Sequence, residues 1–299
     1  VADQWGVLSR RQAIHAGFSE AAIDRRLRRG RWRVLHPGVY LTVDVPATWS
    51  QLLVAAQLWG GEGARISHRS AAILWGLSDA STEIVEITTR KRTKRAGIVS
   101  HYSTAPAGVL RKGPLFVTTP TTTVIDLASV LDREALEAAL YVALRQRLTA
   151  LPVLRNRIES LGKGCRGVVN LRRVVEEAEG LRGIPESNLE VKFLEFLRYF
   201  HLPLPESQYE VFDPEGIFVG RVDFAYPEFK VAIEVDGYRF HSDRHDWVRD
   251  RRRLSDLVVA GWRILHVTHA DVEQKSVVAA TRISELICGR QLSFRNDRR

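Results

Sequence analysis

The chain has 299 residues, 45% of them hydrophobic and 26% charged, with a formal charge of +9 and an isoelectric point near 9.9. That length can hold two or three domains with real cores. No apolar run nears the roughly 18 residues of a membrane helix, and no secretory leader pattern opens the sequence, so membrane-spanning and exported classes are not expected.

The basic balance favours a polyanionic partner. Arginine outnumbers lysine 37 to 7, which suits bidentate phosphate contacts, although GC-rich coding produces the same bias. Cys165 and Cys288 are the only cysteines. They are far apart and lack metal-ligand spacing, which fits a reducing, cytoplasmic setting.

Residues 1–45 read as a winged helix-turn-helix DNA-binding domain. In "LSRRQAIHAG", Ser9 is a helix N-cap type and Gly17 a stop. "FSEAAIDRRLRRG" repeats the device with Ser19 and Gly30, and places Ala22, Ile23 and Leu27 inward. "RWRVLHPGVYLT" then gives two short strands broken at Pro37-Gly38, a wing. Arg25, Arg26, Arg28, Arg29, Arg31 and Arg33 crowd the second helix and the wing. They would repel one another without an anionic partner, and a recognition helix in the major groove wants that pattern.

Residues 46–180 read as an α/β middle domain. "SAAILWGL" is helical in pattern, and "TEIVEITT" and "GIVSHYS" alternate like paired strands with the basic run Arg90 to Arg95 at the tip between them. "TTPTTTVIDLASV" and "EALEAALYVAL" look like helices, Pro120 standing near an N-terminus. No catalytic constellation is legible here. "GKGCRG" lacks the Lys-Ser/Thr that would make it a nucleotide loop.

Residues 185–290 read as helix (Leu189 to Phe200), strands (Tyr209–Phe212, Val219–Ala225, Val231–Asp236), helix (about Asp243 to Val259), strand (Arg263–Thr268) and a last helix (Val277 to Ile287). The order is αβββαβα, and the crossover helix implies that its two flanking strands run parallel. The fold class expected overall is α/β (α+β in total).

In "VAIEVDGYRFH" (Val231 to His241), Glu234 and Asp236 interrupt an apolar strand. Side chains alternate along a strand, so both carboxylates point the same way. A hairpin turn at Tyr226–Phe229 would set Asp223 opposite Ala232, with Glu234 as its diagonal neighbour on the same face. Three carboxylates that close either share protons or hold a divalent cation. Oxygen ligands without a Cys or His cluster suit Mg²⁺ or Mn²⁺. In a basic protein the evident use is phosphodiester hydrolysis.

"GRVDFAYPEFKVAIEVDGYRFH…DRRRLSDLVVAGWRILHVTHADV" resembles a widespread bacterial family of endonucleases in the PD-(D/E)XK superfamily, akin to the very short patch mismatch repair endonucleases. The likeness covers roughly Pro185 to Asp271. It implies a metal-dependent DNA endonuclease in repair or defence, with Asp223 and Glu234 as metal ligands. Asp236 stands where the superfamily usually has lysine; it would serve a second ion or act as a base. His241 matches a histidine of the repair-nuclease pattern, a general acid or base there, but it could equally cap the helix that follows. Glu190 either joins the site from the first helix or closes a capping box with Ser187. Arg249, Arg252 and Arg253 either hold phosphates near the site or form a solvated face; His245 and His266 read as structural.

The N-terminal half, "WGVLSRRQAIHAGFSEAAIDRRLRRGRWRVLHPGVYL" into "ISHRSAAILWGL", resembles the winged-helix antitoxins of abortive-infection toxin–antitoxin systems. That implies DNA binding and a toxin partner that this chain cannot itself display. The other reading of the whole is therefore a DNA-binding regulator or antitoxin whose nuclease fold is silent. Cutting both strands of double-stranded DNA would need a homodimer or two events.

Overall fold

A computed structural model describes residues 4–42, 46–78, 84–104, 108–161, 165–181, 183–213, 216–236 and 244–288, with the side chains of 244–250 and 288 outside that set. The chain forms two compact units, Val1–Leu171 and Arg172–Arg299.

In the first unit, β1 (Val7–Ser9) leads into α1 (Arg10–His15), where Ser9 accepts the Gln12 N–H and Gln12 answers in a capping box. Ser19 caps α2 (Glu20–Arg28) in the same way from the Ala22 N–H. β2 (Arg33–His36) and β3 (Val39–Leu41) follow, and the sheet order is β1-β3-β2. Ala13, Ile23, Leu8, Trp32 and Tyr40 form the small core beneath the helices. The helix-turn-helix with its wing is thus present. β1, a bare "VLS", was too short to leave a pattern.

The chain continues through α3 (Trp49–Gly60), β4 (Arg65–Ile66), α4 (His68–Leu74), β5 (Val85–Thr89), β6 (Ile98–Tyr102), β7 (Val109–Lys112) and β8 (Leu115–Thr118). α5 (Pro120–Leu127), α6 (Arg133–Arg145) and α7 (Leu151–Glu159) close the unit, and α8 (Val168–Gly180) crosses its boundary. The second sheet has the order β6-β5-β4-β8-β7. The cut expected near residue 45 falls inside this unit: Val7, Val39 and Leu41 share one core with Leu53 and Val54 of α3 and with Ile66 and Ile87 of the sheet.

One expectation is corrected here. β5 and β6 pair, but in parallel, Val85↔Ile98 through Thr89↔Tyr102, so Arg90 to Arg95 do not make a hairpin tip. Alternation of side chains marks a strand's face and carries no information on its direction. The connection must retrace β5, about 16 Å at strand rise, which its residues span easily when extended. Lys91, Arg92, Lys94 and Arg95 line an open basic groove on this connection.

The second unit holds α9 (Asn188–Tyr199), β9 (Glu206–Phe212), β10 (Phe218–Tyr226), β11 (Val231–Asp236), α10 (Arg244–Val259), β12 (Arg263–Thr268), α11 (His269–Glu273) and α12 (Val277–Cys288). The sheet order is β12-β11-β10-β9. β11 and β12 are parallel across α10, and β9, β10 and β11 are antiparallel, as the αβββαβα reading requires. Phe224, Val231 and Ile233 pack on Phe193 and Leu197 of α9 and on Ala280 and Ile283 of α12. Ala225 and Ala232 pack on Leu257 of α10 and on Trp262. Helices therefore cover both faces, and the carboxylates lie where the two central strands come apart.

Candidate carboxylate site and nucleic-acid interface

β10 and β11 pair as Phe224↔Ile233, Ala225↔Ala232 and Tyr226↔Val231. The connection is a 3-10 turn, Pro227–Phe229, followed by Lys230 in the left-handed region at φ 49°. The loop between the paired ends Tyr226 and Val231 has the expected four residues, Pro227 to Lys230, but begins one residue later along the chain than the expected turn. It corrects the expected register by two positions. Asp223 belongs beside Glu234 directly, not diagonally, and a shift of two leaves every side chain on its expected face.

The side chain of Asp223 takes over where the backbone ladder ends: its Oδ2 accepts the Val235 N–H at 2.9 Å. Glu234 is only 8% exposed, and its Oε1 accepts from Arg253 Nη1 at 2.7 Å. The same Nη1 donates to the Arg221 carbonyl at 2.9 Å. Gly220 makes room for this reach, since a Cβ there would stand 3.1 Å from Arg253 Cγ. Asp236 is exposed, and its Oδ2 accepts from His266 Nδ1 at 2.9 Å. The parallel register places His266 beside Glu234 on β12. The sequence reading left His266 as structural; nothing in one strand's pattern tells which residue of another lies beside it.

Burial is the largest influence on Asp223 and pushes its carboxyl up to about 6, with the negative charges of Glu234 and Asp236 adding to the rise. The Val235 N–H and the Arg253 guanidinium act the other way. Glu190 is 5% exposed, and burial raises its carboxyl too. Bonds from the Glu186 N–H and Ser187 oppose that rise, and the nearby Asp223 charge assists it. Both readings of Glu190 thus find a foothold. Ser187 Oγ accepts the Glu190 N–H at 3.1 Å, while Glu190 Oε2 accepts from the Glu186 N–H and Gln208 Nε2, each at 2.8 Å. The capping bond runs back to Glu186, one residue before the one expected.

Gln208 is a residue the sequence does not single out. It stands across from Asp223, between the pairs Tyr209↔Val222 and Ser207↔Phe224, with a left-handed φ of 53°. A non-glycine residue in that region inside a strand is strained, and such strain gathers at sites where a side chain must be aimed.

His241 lies outside the described residues, as does the side chain of Arg249. Arg252 is exposed, whereas Arg253 turns inward to Glu234.

On the winged helix, Arg25, Arg28, Arg29, Arg31 and Arg33 are exposed. Arg26 is not part of that display: its guanidinium lies over the Phe18 ring at 4.6 Å and the Trp32 ring at 5.7 Å. It packs the turn.

The middle segment, where no constellation was legible, gathers His68, Glu86 and His101. Their ligating atoms lie within 4.8 Å of one another. Glu86 accepts from Arg69 at 2.9 Å and pairs with His101 Nε2 at 3.1 Å. The two imidazoles stack with centroids 3.4 Å apart. The three residues come from α4, β5 and β6, so no spacing along the chain announces them.

A family model described as "Transcriptional regulator, AbiEi antitoxin" matches residues 1–43. Two proteins of Mycobacterium tuberculosis, from strains CDC 1551 / Oshkosh and ATCC 25618, both described as uncharacterized, are 28% identical to this chain over 234 residues. Those matches cover 78% of this chain and 84% of each relative. Among solved structures, the catalytic domain of the homing endonuclease I-Bth0305I is similar at 27% identity and a TM-score of 0.26, over 32% of this chain and 90% of that one.

No helix among the described residues is long and apolar enough to cross a membrane.

Proposed function

We propose that the chain is a metal-dependent DNA endonuclease whose basic winged-helix module engages the duplex. The observation that carries this reading is the convergence of Asp223, Glu234 and Asp236 on neighbouring positions of β10 and β11, with Glu190 near enough for the Asp223 charge to act on it. An Asp223 carboxyl that burial and its carboxylate neighbours push towards protonation is a costly arrangement, and such cost is typical of functional sites. The cluster's all-oxygen donor set fits Mg²⁺ or Mn²⁺, held by Asp223, Glu234 and Asp236. A bound divalent ion supplies Lewis acidity towards a phosphodiester oxygen and lowers the pKa of a nearby water. Asp223 stays aimed through its bond with the Val235 N–H, and Gln208 holds Glu190 in place. Asp236, paired with His266, offers a carboxylate–imidazole couple at the exposed rim that can carry a proton to or from solvent.

The test is cleavage of supercoiled plasmid with Mg²⁺ or Mn²⁺, beside Glu234→Ala protein and an EDTA control. Nicking that needs both the metal and Glu234 is the expected outcome. Intact plasmid under all conditions, with no calorimetric Mn²⁺ binding to the wild type, would refute the reading. The DNA-engaging role of Arg25, Arg28, Arg29, Arg31 and Arg33 predicts affinity that falls steeply with salt; a flat series would remove those phosphate contacts.

A second reading, a regulator with a silent nuclease fold, is favoured by one observation. Arg253 already occupies an oxygen of Glu234 at 2.7 Å, as a substitute cation would. That reading predicts DNA binding without cleavage and without Mn²⁺ uptake.

A further inference from the structure

The first unit's second sheet has two unlike faces. Ile66, Ile87 and Ile98 point into the apolar core under α3. On the other face, the pairs Arg65↔Thr88 and Thr88↔His101 set Arg65, Thr88 and His101 in one row across β4, β5 and β6. Glu86, two residues before Thr88, shares that face. A sheet face covered by helices is ordinarily apolar, and a buried polar one is the informative exception.

Arg65 is the sharpest part of it. The residue is 8% exposed, yet among the described residues no carboxylate oxygen lies within 4.0 Å of its guanidinium. Its one described hydrogen bond is a long contact to the Gly63 carbonyl at 3.4 Å, and its Nε is buried without an acceptor. A buried cation with no counter-charge carries a large desolvation cost.

Burial acts on Arg65 more strongly than its charged neighbours do, and those neighbours relieve the cost only in part. Arg90 adds like charge near Arg65. The nearest help is Asp126, whose carboxyl burial pushes up to about 7, so it is only partly ionised near neutrality. His68 is pushed down to about 3, chiefly by burial, and stands as a neutral imidazole with Nδ1 2.9 Å from Ser67 Oγ.

Arg65, His68, His101 and Asp126 line one chamber of about 520 Å³, and Arg157 and Arg166 stand on its wall. Three guanidinium groups thus face a cavity in which Asp126, partly ionised, is the one carboxylate among the described lining residues. The volume is that of a small-molecule site, and a guanidinium at the floor of such a chamber is out of reach of a nucleic-acid backbone lying on the surface.

We propose that this chamber binds a small phosphate-bearing ligand, with Arg65 as its buried anchor and Arg166 at its rim. The ligand supplies the contacting anion that Arg65 lacks among the described residues, where Asp126 acts only at longer range. His101, beside Arg65 in the row, lines the same chamber, while the Thr88 hydroxyl already donates to Ser67 Oγ at 2.8 Å. This site shares no residue with the carboxylate cluster, so it stands or falls apart from the nuclease reading.

The experiment is isothermal titration of the full-length chain with inorganic phosphate and with pyrophosphate, ionic strength held constant with sodium chloride. Saturable binding to the wild type is expected. Arg65→Gln should weaken it roughly tenfold or more, the scale of one lost charge-assisted hydrogen bond. Arg166→Gln, an exposed substitution that leaves folding alone, should weaken it several-fold, and this second variant keeps the test sound if Arg65→Gln folds poorly. Arg11→Gln, an exposed change away from the chamber lining, should bind phosphate like the wild type. The proposal is overturned by no saturable binding, by binding that neither Arg65 nor Arg166 affects, or by displacement of phosphate by a DNA duplex. Uptake of Zn²⁺ or Mn²⁺ without any phosphate binding would also overturn it, and would assign the chamber to a metal held by His68, Glu86 and His101.

Discussion

Replacing Asp223 with Asn separates what the carboxylate cluster costs from what it does. Asn is nearly isosteric, and its side-chain oxygen can still accept the Val235 N–H that Asp223 holds at 2.9 Å. What disappears is a charge in a place that disfavours it. The Asp223 carboxyl rises from 3.8 to about 6, first through burial and then through Glu234 and Asp236. That rise corresponds to about 3 kcal/mol when the group is ionised, and partial solvent access lowers it to roughly 1–2 kcal/mol. The sign follows from linkage: a folded-state pKa above the unfolded one gives stability that is present below pH 3.8 and lost as pH rises through about 6. In EDTA the Asn protein should therefore be the more stable at pH 8 and equal to the wild type near pH 3.5. Urea unfolding read by hydrogen exchange of β10 and β11 peptides reports the second unit separately. Added Mn²⁺ should reverse the order at pH 8, stabilising the wild type by mass action and leaving the Asn protein unmoved. An Asn protein that is less stable at pH 8, or equally favoured at both pH values, would refute the claim that Asp223 is held under electrostatic strain.

Arg253→Met removes the guanidinium that meets Glu234 at 2.7 Å and should cost roughly 2–4 kcal/mol in EDTA; Mn²⁺ should recover part of that if Glu234 is a ligand, as thermal melts with and without the ion would register. Ser19→Ala removes the cap of α2 and should cost about 1 kcal/mol, seen as a lowered midpoint of the first unit together with weaker duplex binding. Gly167→Ala should be far more damaging than Gly17→Ala. Both glycines have positive φ, but a Cβ on Gly167 would stand 1.8 Å from the Ala128 carbonyl oxygen, whereas nothing lies within 4 Å of one on Gly17. Chemical denaturation should show about 1 kcal/mol for the latter and upwards of ~2 kcal/mol for the former; similar values would count against the close α5–α8 approach.

Local chemistry made some of this fold readable in advance. Ser9 and Ser19 cap because a short hydroxyl satisfies orphan amides, and Gly17 and Gly30 stop helices because only glycine takes positive φ freely. Period-two alternation in "VAIEVD" put Glu234 and Asp236 on one face, and that survived even the register error, because a slip of two preserves faces. The same periodicity is blind to direction. It could not tell that β5 and β6 run parallel, nor that the turn at Pro227–Phe229 would bring Asp223 level with Glu234.

Partners from distant segments were likewise beyond it. Arg253 against Glu234, His266 against Asp236 and Gln208 against Glu190 each join residues whose closeness depends on the order of strands in the sheet, which no local pattern contains. The polar chamber of the first unit is the extreme case. Arg65, His68, Glu86, His101 and Asp126 come from five separate elements, and each alone reads as an ordinary surface residue. Burial turns them into a site, because charge becomes expensive only once water is removed, and which residues lose their water is decided by packing, not by the order of residues along the chain.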